Sequence, residues 1–282
     1  MSRAIVVVGM HRSGTSAIAR GPQALSVDLG DDFLDAQPEN PTGYWEDRGI
    51  VEIDERILKA LQLRWDGTGP IEASRFGGWR MWRLRREATR YLRRHFTMKA
   101  LWGFKDPRTI RLLPFWLRVL RECAVDDSYL LVIRNPSSVA ASLFARQQMD
   151  LETARRLWLV HVVPFLAELR TKPLAVVDYD RFMLDPRSQL ERIARRLGLL
   201  GPGAMESEPV RRFIADFLDA SLRHTLFSPD DIDASTSAGR LTRDAYVLLD
   251  ELAADRREPN DDFWSAWAGI EKSFGENAAK NG

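Results

Sequence analysis

The octapeptide Gly9-Met10-His11-Arg12-Ser13-Gly14-Thr15-Ser16 has the residue types of an anion cradle. It follows an apolar run at 4–8 and precedes a stretch of helical periodicity over 15–25. In that setting successive backbone N–H groups and the helix N-terminus face one point, and the guanidinium of Arg12 adds a full positive charge. A glycine turn with no ligand is the plain alternative, but here strand, turn, hydroxyls and helix coincide. The spacing follows G-x4-G-K-[ST] except that Thr15 stands where the pattern has lysine. That lysine normally reaches the β- and γ-phosphates of a nucleoside triphosphate, so its absence speaks against an ATPase or a kinase.

A second constellation lies further along. Arg134 ends the apolar run 128–133, and Ser142 follows eight residues later. If a helix starts at Pro136, Ser138 and Ser142 share one face as an i, i+4 pair. An arginine at a strand end beside a helix-borne hydroxyl can clamp a phosphate monoester. Taken alone, the arginine could equally pair with a carboxylate and the serine be routine.

Arg12-Ser13-Gly14-Thr15-Ser16 resembles the 5′-phosphosulfate-binding loop of the sulfotransferases that use 3′-phosphoadenylyl sulfate. Arg134-x7-Ser142 after a hydrophobic strand, with Asn135-Pro136 between, resembles the 3′-phosphate-binding motif of the same family. Three further stretches are similar to its bacterial branch: Asn40-Pro41-Thr42-Gly43-Tyr44-Trp45-Glu46, Trp102-Gly103-Phe104-Lys105-Asp106-Pro107-Arg108, and Val177-Asp178-Tyr179-Asp180-Arg181 followed by Asp185-Pro186. The resemblance covers residues 4–200. Beyond it only Leu222-Arg223-His224 looks familiar; the C-terminal cofactor loop with Arg-Lys-Gly of cytosolic animal members is not recognisable, and Arg240 after Gly239 could stand in for it.

The resemblance implies transfer of a sulfonate from 3′-phosphoadenylyl sulfate (PAPS) to a hydroxyl or amine, without a metal. Arg12, Ser13, Gly14, Thr15 and Ser16 would hold the leaving phosphate, with Lys105 as a second cation. Arg134 and Ser142 would hold the 3′-phosphate. Cytosolic members use a histidine shortly after Lys-Thr as the base, and Lys105-Asp106-Pro107-Arg108 lacks it. Carbohydrate- and protein-modifying members often use a glutamate after the first helix, a description that Glu46 fits. Asp106 is the rival. Each has a structural alternative: Asp106 as a turn-former before Pro107, Glu46 as a first-turn residue at a helix N-terminus. The acceptor would be a small molecule or a glycan, lipid-linked ones included. The competing readings are a P-loop phosphotransferase or kinase, and a non-catalytic nucleotide-binding module.

These groups need elements to position them. Residues 4–8, 101–105, 128–133 and 174–177 read as short buried strands, and helical periodicity covers 47–63, 79–96, 109–121, 136 onward, 151–169 and 186–197. Asp185-Pro186 starts a capped helix that Gly198 stops. Alternating strands and helices specify an α/β fold: three layers, with a mostly parallel central sheet flanked by helices, as in P-loop nucleotide-binding proteins. One domain is expected over 1–282, with its core at 4–200, a helical part at 205–272 and a frayed polar tail at 273–282.

Composition narrows the rest. Of 282 residues, 41 are Lys or Arg and 40 Asp or Glu, so the net charge of +1 argues against holding nucleic acid by bulk charge. One cysteine, Cys123, excludes a disulfide within the chain, and four scattered histidines (His11, His95, His161, His224) suggest no metal site. No run approaches the roughly 18 apolar residues of a membrane span, and the expected location is the cytoplasm. One local excess stands out. Arg75, Arg80, Arg83, Arg85, Arg86, Arg90, Arg93 and Arg94 crowd together, interleaved with Trp79, Trp82, Tyr91 and Phe96. The expectation is a solvated helix face over an inward aromatic seam; peripheral contact of 75–94 with a polyanion, an acidic glycan or an anionic lipid surface is the alternative.

Overall fold

The computed structural model describes residues 2–37, 40, 43–217 and 227–280. Its sheet has four strands, all parallel, in the order β2-β1-β3-β4: β1 Arg3–Val8, β2 Leu101–Lys105, β3 Asp126–Ile133 and β4 Leu174–Asp178. The apolar runs are covered on both faces, as continuous hydrophobic strands of a parallel sheet require. Alternation along the strands divides two cores. Val6, Val8, Phe104, Leu131 and Ile133 face one layer, and Ile5, Val7, Leu130, Val132 and Val177 face the other.

Helix α1, Thr15–Ala24, lies on the second face, with α8 (Pro186–Arg196) and α9 (Glu208–Arg212) after α7 (Tyr179–Leu184). The first face carries α2 Arg48–Ala60, α3 Gly78–His95, α4 Leu113–Glu122, α5 Pro136–Gln147, α6 Leu151–Val162, α10 Ser237–Ala253 and α11 Asp261–Lys280. This is the expected three-layer α/β arrangement.

The chain leaves β1, returns as β2 on one side of it, then crosses to β3 on the other side. The loops after β1 and β3 therefore meet at the switch point of the sheet, where open α/β folds form a crevice. Val7 pairs with Lys105 and Val8 with Leu131, so the C-terminal strand ends bring Lys105 and Arg134 to the same edge as the glycine turn.

Three stretches depart from the periodicity. Residues 109–112 form a 3₁₀ turn before α4, because Pro114 has no N–H for an earlier helical turn and instead occupies the start of a new helix. Helix α6 stops at Val162 because Pro164 cannot continue it, and a separate 3₁₀ turn, Leu166–Leu169, follows. The polar stretch from 273, expected to fray, continues α11 to Lys280, with Phe274 packed on the first core.

In α3 the aromatic seam divides. Phe96 is buried and Tyr91 packs against the core, but Trp79 and Trp82 are 68% and 50% exposed. Residues 41–42 of the Asn40–Glu46 stretch, and Leu222-Arg223-His224, lie outside the described residues.

Candidate active site

The glycine turn has the backbone that its residues allow. Gly9 at φ 153°, Arg12 at φ 68° and Gly14 at φ 83° bend it away from ordinary extended or helical geometry. A Cβ on Gly9 would lie 2.4 Å from the Val132 carbonyl oxygen, and one on Gly14 would lie 2.0 Å from Cδ2 of Tyr179. Both glycines are required by close approach as well as by φ. Gly14 precedes α1 and brings no capping side chain, so the first-turn N–H groups of α1 are left to a ligand or to solvent. Ser13 is fully buried and its Oγ has no hydrogen-bond partner. A buried orphaned hydroxyl beside uncapped helix amides is the donor set that a phosphate group satisfies.

A lysine from β2 reaches the cradle. Lys105, 1% exposed, donates from Nζ to Ser16 Oγ at 3.1 Å, to the Tyr44 carbonyl at 3.1 Å and to Glu46 Oε1 at 2.5 Å. Gly43 and Trp45 both take positive φ, and this double bend turns Glu46 inward just before α2. Asp47, not Glu46, caps that helix, accepting from the Ile50 N–H at 2.9 Å. Glu46 Oε2 lies 3.4 Å from Arg108 Nη1. Its two oxygens thus face two cations.

Asp106 takes a different position. It is fully buried, accepts from the Arg108 backbone N–H at 2.8 Å and from Arg108 Nη1 at 2.9 Å, and closes a turn with Thr109. Burial pushes its carboxyl up to about 6 against the opposing pull of Arg108, with Glu46 adding repulsion. Asp54, gripped by Thr109 and Trp116, is raised well above the usual range by burial and by Asp106.

Glu46, Arg108 and Arg12 line a cavity of about 230 Å³ with His11, Tyr44, Trp65 and Arg146. Asp106 does not reach it. A larger cavity of about 470 Å³, bounded by Thr68, Arg156, Thr236 and Phe274, contains none of the cradle residues. The smaller one holds the converging charges and is the candidate acceptor pocket.

His11 is the residue that sequence reasoning passed over, counting it among scattered histidines. Its ring stacks at a tilt on Trp65, 4.5 Å between centroids, and stands edge-on to His161 at 6.0 Å. Its Nε2 is enclosed without a hydrogen-bond partner. Burial, then the nearby Arg108, keeps its pKa well below the usual value, so the imidazole is neutral. Its place directly before Arg12, inside the cradle sequence, was the available signal.

The second constellation is rearranged. Ser142 Oγ accepts from Arg12 Nε at 2.9 Å. Arg134, 8% exposed, lies with its guanidinium 4.7 Å from the Tyr179 ring centroid, its Nε 4.0 Å from Asp180, and its Nη1 3.5 Å from the Arg12 carbonyl. Arg12 thus joins the two constellations, its backbone toward Arg134 and its side chain toward Ser142. Ser138 is fully buried with an unpartnered Oγ. Asn135 caps α5 through the Ser137 N–H at 2.9 Å, and its amide donates to Ser228 O at 2.8 Å. Arg240 donates to the carbonyls of Ala234 and Ser235, and no described contact joins it to the cradle.

No family model matches the chain, and no match was found among curated proteins. Solved structures similar to it in fold include two sulfotransferases. The sulfotransferase domain from the olefin synthase of Synechococcus PCC 7002 has 15% identity and a TM-score of 0.46, covering 87% of this chain and 95% of that one. Sulfotransferase STF1 from Mycobacterium tuberculosis H37Rv has 17% identity and a TM-score of 0.41, covering 77% of this chain and 71% of that one.

Proposed function

We propose that the chain transfers a sulfonate from PAPS to a hydroxyl or amine of an acceptor seated in the His11–Glu46 cavity. The observation that carries the reading is Lys105 Nζ standing between Ser16 of the cradle and Glu46 of the cavity. A cation on that line faces the leaving phosphate on one side and the acceptor on the other.

The donor fits the residues present. The uncapped first turn of α1, Ser13, Ser16 and Arg12 suit the 5′ end, and Arg134 with Ser142 suits the 3′-phosphate; the orphaned hydroxyls of Ser13 and Ser138 await partners. The acceptor oxygen forms a bond to sulfur while the bond from sulfur to the phosphate oxygen breaks. The leaving group is adenosine 3′,5′-bisphosphate, whose new charge Arg12 and Lys105 neutralise. Glu46 takes the acceptor proton once Lys105 turns toward the leaving oxygen. Asp106 acts through Arg108, fixing the guanidinium that faces Glu46. His11, neutral and lining the same cavity, is the second candidate for the proton, a weaker base because burial holds its pKa low.

Calorimetry without magnesium tests the donor. Adenosine 3′,5′-bisphosphate is expected to bind at least tenfold more tightly than AMP or ATP, since a charged hydrogen-bonded clamp contributes about 1.5–3 kcal/mol. Equal affinity for AMP sinks the reading, and magnesium-dependent preference for ATP replaces it with a phosphotransferase.

A further inference from the structure

We propose that the outward face of α3 docks the protein on an anionic lipid surface. The helix is anchored from one side: Met81, Leu84, Ala88, Thr89 and Leu92 are buried, and α3 packs on α2 and α4. At about 100° per residue, Trp79, Trp82, Arg83, Arg86 and Arg90 fall on the opposite side, within a stripe roughly 100° wide. All five are exposed. An indole is large and mostly apolar, and two of them held in water on one helix face need an explanation.

The cations are arranged around those rings. The Arg86 guanidinium lies 5.1 Å from the Trp82 centroid and that of Arg80 5.7 Å from the Trp79 centroid. Glu87, the one acid in the helix, stands at the edge of the stripe and is already taken by Arg56 at 2.5 Å and Arg83 at 3.4 Å. The chain as a whole is almost neutral, so this positive stripe is a local segregation of charge.

Guanidinium groups alone would suit any polyanion. The indoles decide between occupants. Tryptophan partitions to the headgroup level of a bilayer, where its ring sits against acyl chains and its N–H in the wet layer, while flanking arginines bind lipid phosphates and carboxylates. Contact of this kind is peripheral; no described helix is long and apolar enough to cross a membrane. The same helix supports the candidate site, since the Tyr91 hydroxyl donates to Asp47 Oδ1 at 2.7 Å, one residue beyond Glu46. The proposal does not depend on the transfer reaction.

The test is co-sedimentation of the full chain with phosphatidylcholine vesicles, with and without phosphatidylserine. Binding is expected only with phosphatidylserine, and it should fall at least tenfold when salt is raised to molar strength. Trp79→Ala/Trp82→Ala should weaken it about tenfold, and Arg86→Glu/Arg90→Glu about a hundredfold. All four positions are exposed, so thermal melts should match the wild type. A second arm needs no variant: brominated lipid should quench the tryptophan emission of the wild-type protein. The proposal is overturned by absence of vesicle binding, by binding that neither pair of substitutions alters, or by retention on heparin without binding to the vesicles, which would assign the face to a polyanion.

Discussion

Lys105 and Glu46 stand 59 residues apart in the chain and meet at 2.5 Å, both withdrawn from solvent. A buried pair of this kind is unforgiving of the loss of one partner, because the survivor keeps its desolvation cost without compensation. Lys105→Met alone should cost about 3–5 kcal/mol of stability, and Lys105→Met/Glu46→Leu less than the sum of the two single changes. Denaturant titration of the four proteins measures it; strict additivity would show that the pair is not coupled.

Glu46→Gln retains shape and one hydrogen bond from Lys105 but takes no proton. Turnover should fall about 10²–10⁴-fold, with binding of adenosine 3′,5′-bisphosphate nearly unchanged. Asp106→Asn should do less, because Asp106 lies outside the cavity and works through Arg108. If His11→Phe instead abolishes turnover while Glu46→Gln is nearly silent, the proton goes to the imidazole.

Arg12 and Ser142 share a hydrogen bond, so the two phosphate sites are linked. Arg134→Ala should weaken the bisphosphate and leave AMP binding unaffected. Arg12→Ala should lower turnover, because it faces charge that develops on the leaving phosphate. Arg12→Ala/Ser142→Ala should then differ from the sum of the singles by about 0.5–3 kcal/mol in bisphosphate affinity. A sum that closes would deny the link.

Stability should vary with pH through opposing groups. Asp106 and Asp178 have folded pKa values of about 6, raised from 3.8, chiefly by burial. Between pH 4 and 6 the native state therefore binds more protons than the unfolded chain at these sites, and their contribution is lost as pH rises through 6. His161, lowered to about 3 by burial, and His11, also lowered, act in reverse: stability grows as pH rises toward 6.5. Asp106→Asn removes one falling contribution. Its melting temperature relative to the wild type should improve steadily from pH 4 to 6.5, and a constant offset would contradict the assignment.

Gly14→Ala meets two obstacles, the Tyr179 ring at 2.0 Å and a φ of 83°. The substitution should abolish bisphosphate binding and lower the melting temperature. In a Tyr179→Ala background, itself destabilised by loss of a buried ring, Gly14→Ala should cost less than in the wild type but keep the left-handed backbone cost of about 1–2 kcal/mol. No cost in that background would mean that φ is not a constraint there.

The four strands are legible in the sequence because each is a short, nearly unbroken apolar run, and burial on both faces of a parallel sheet demands that composition. The glycine turn and the Asn135-Pro136 cap are legible for the same local reason: their backbone geometry depends on the residues themselves. Type and spacing bring Arg12 and Arg134 forward as candidates, and the resemblance to the sulfotransferases adds Lys105 and Glu46.

Their partners are another matter. That Lys105 reaches Ser16 of the cradle follows from β2 lying beside β1, a pairing that no local pattern encodes. That Ser142 faces Arg12, that His11 opens into the cavity beside Glu46, and that Asp106 is sealed beneath Arg108 depend on how loops from separate strands cross at the sheet edge. The division in α3 has the same origin. Interleaved Arg and aromatic residues specify a helix, but which rings turn inward is decided by where α2 and α4 already lie. Side-chain type is local; desolvation, charge pairing and pKa are properties of neighbours, and neighbours exist only after the chain has folded.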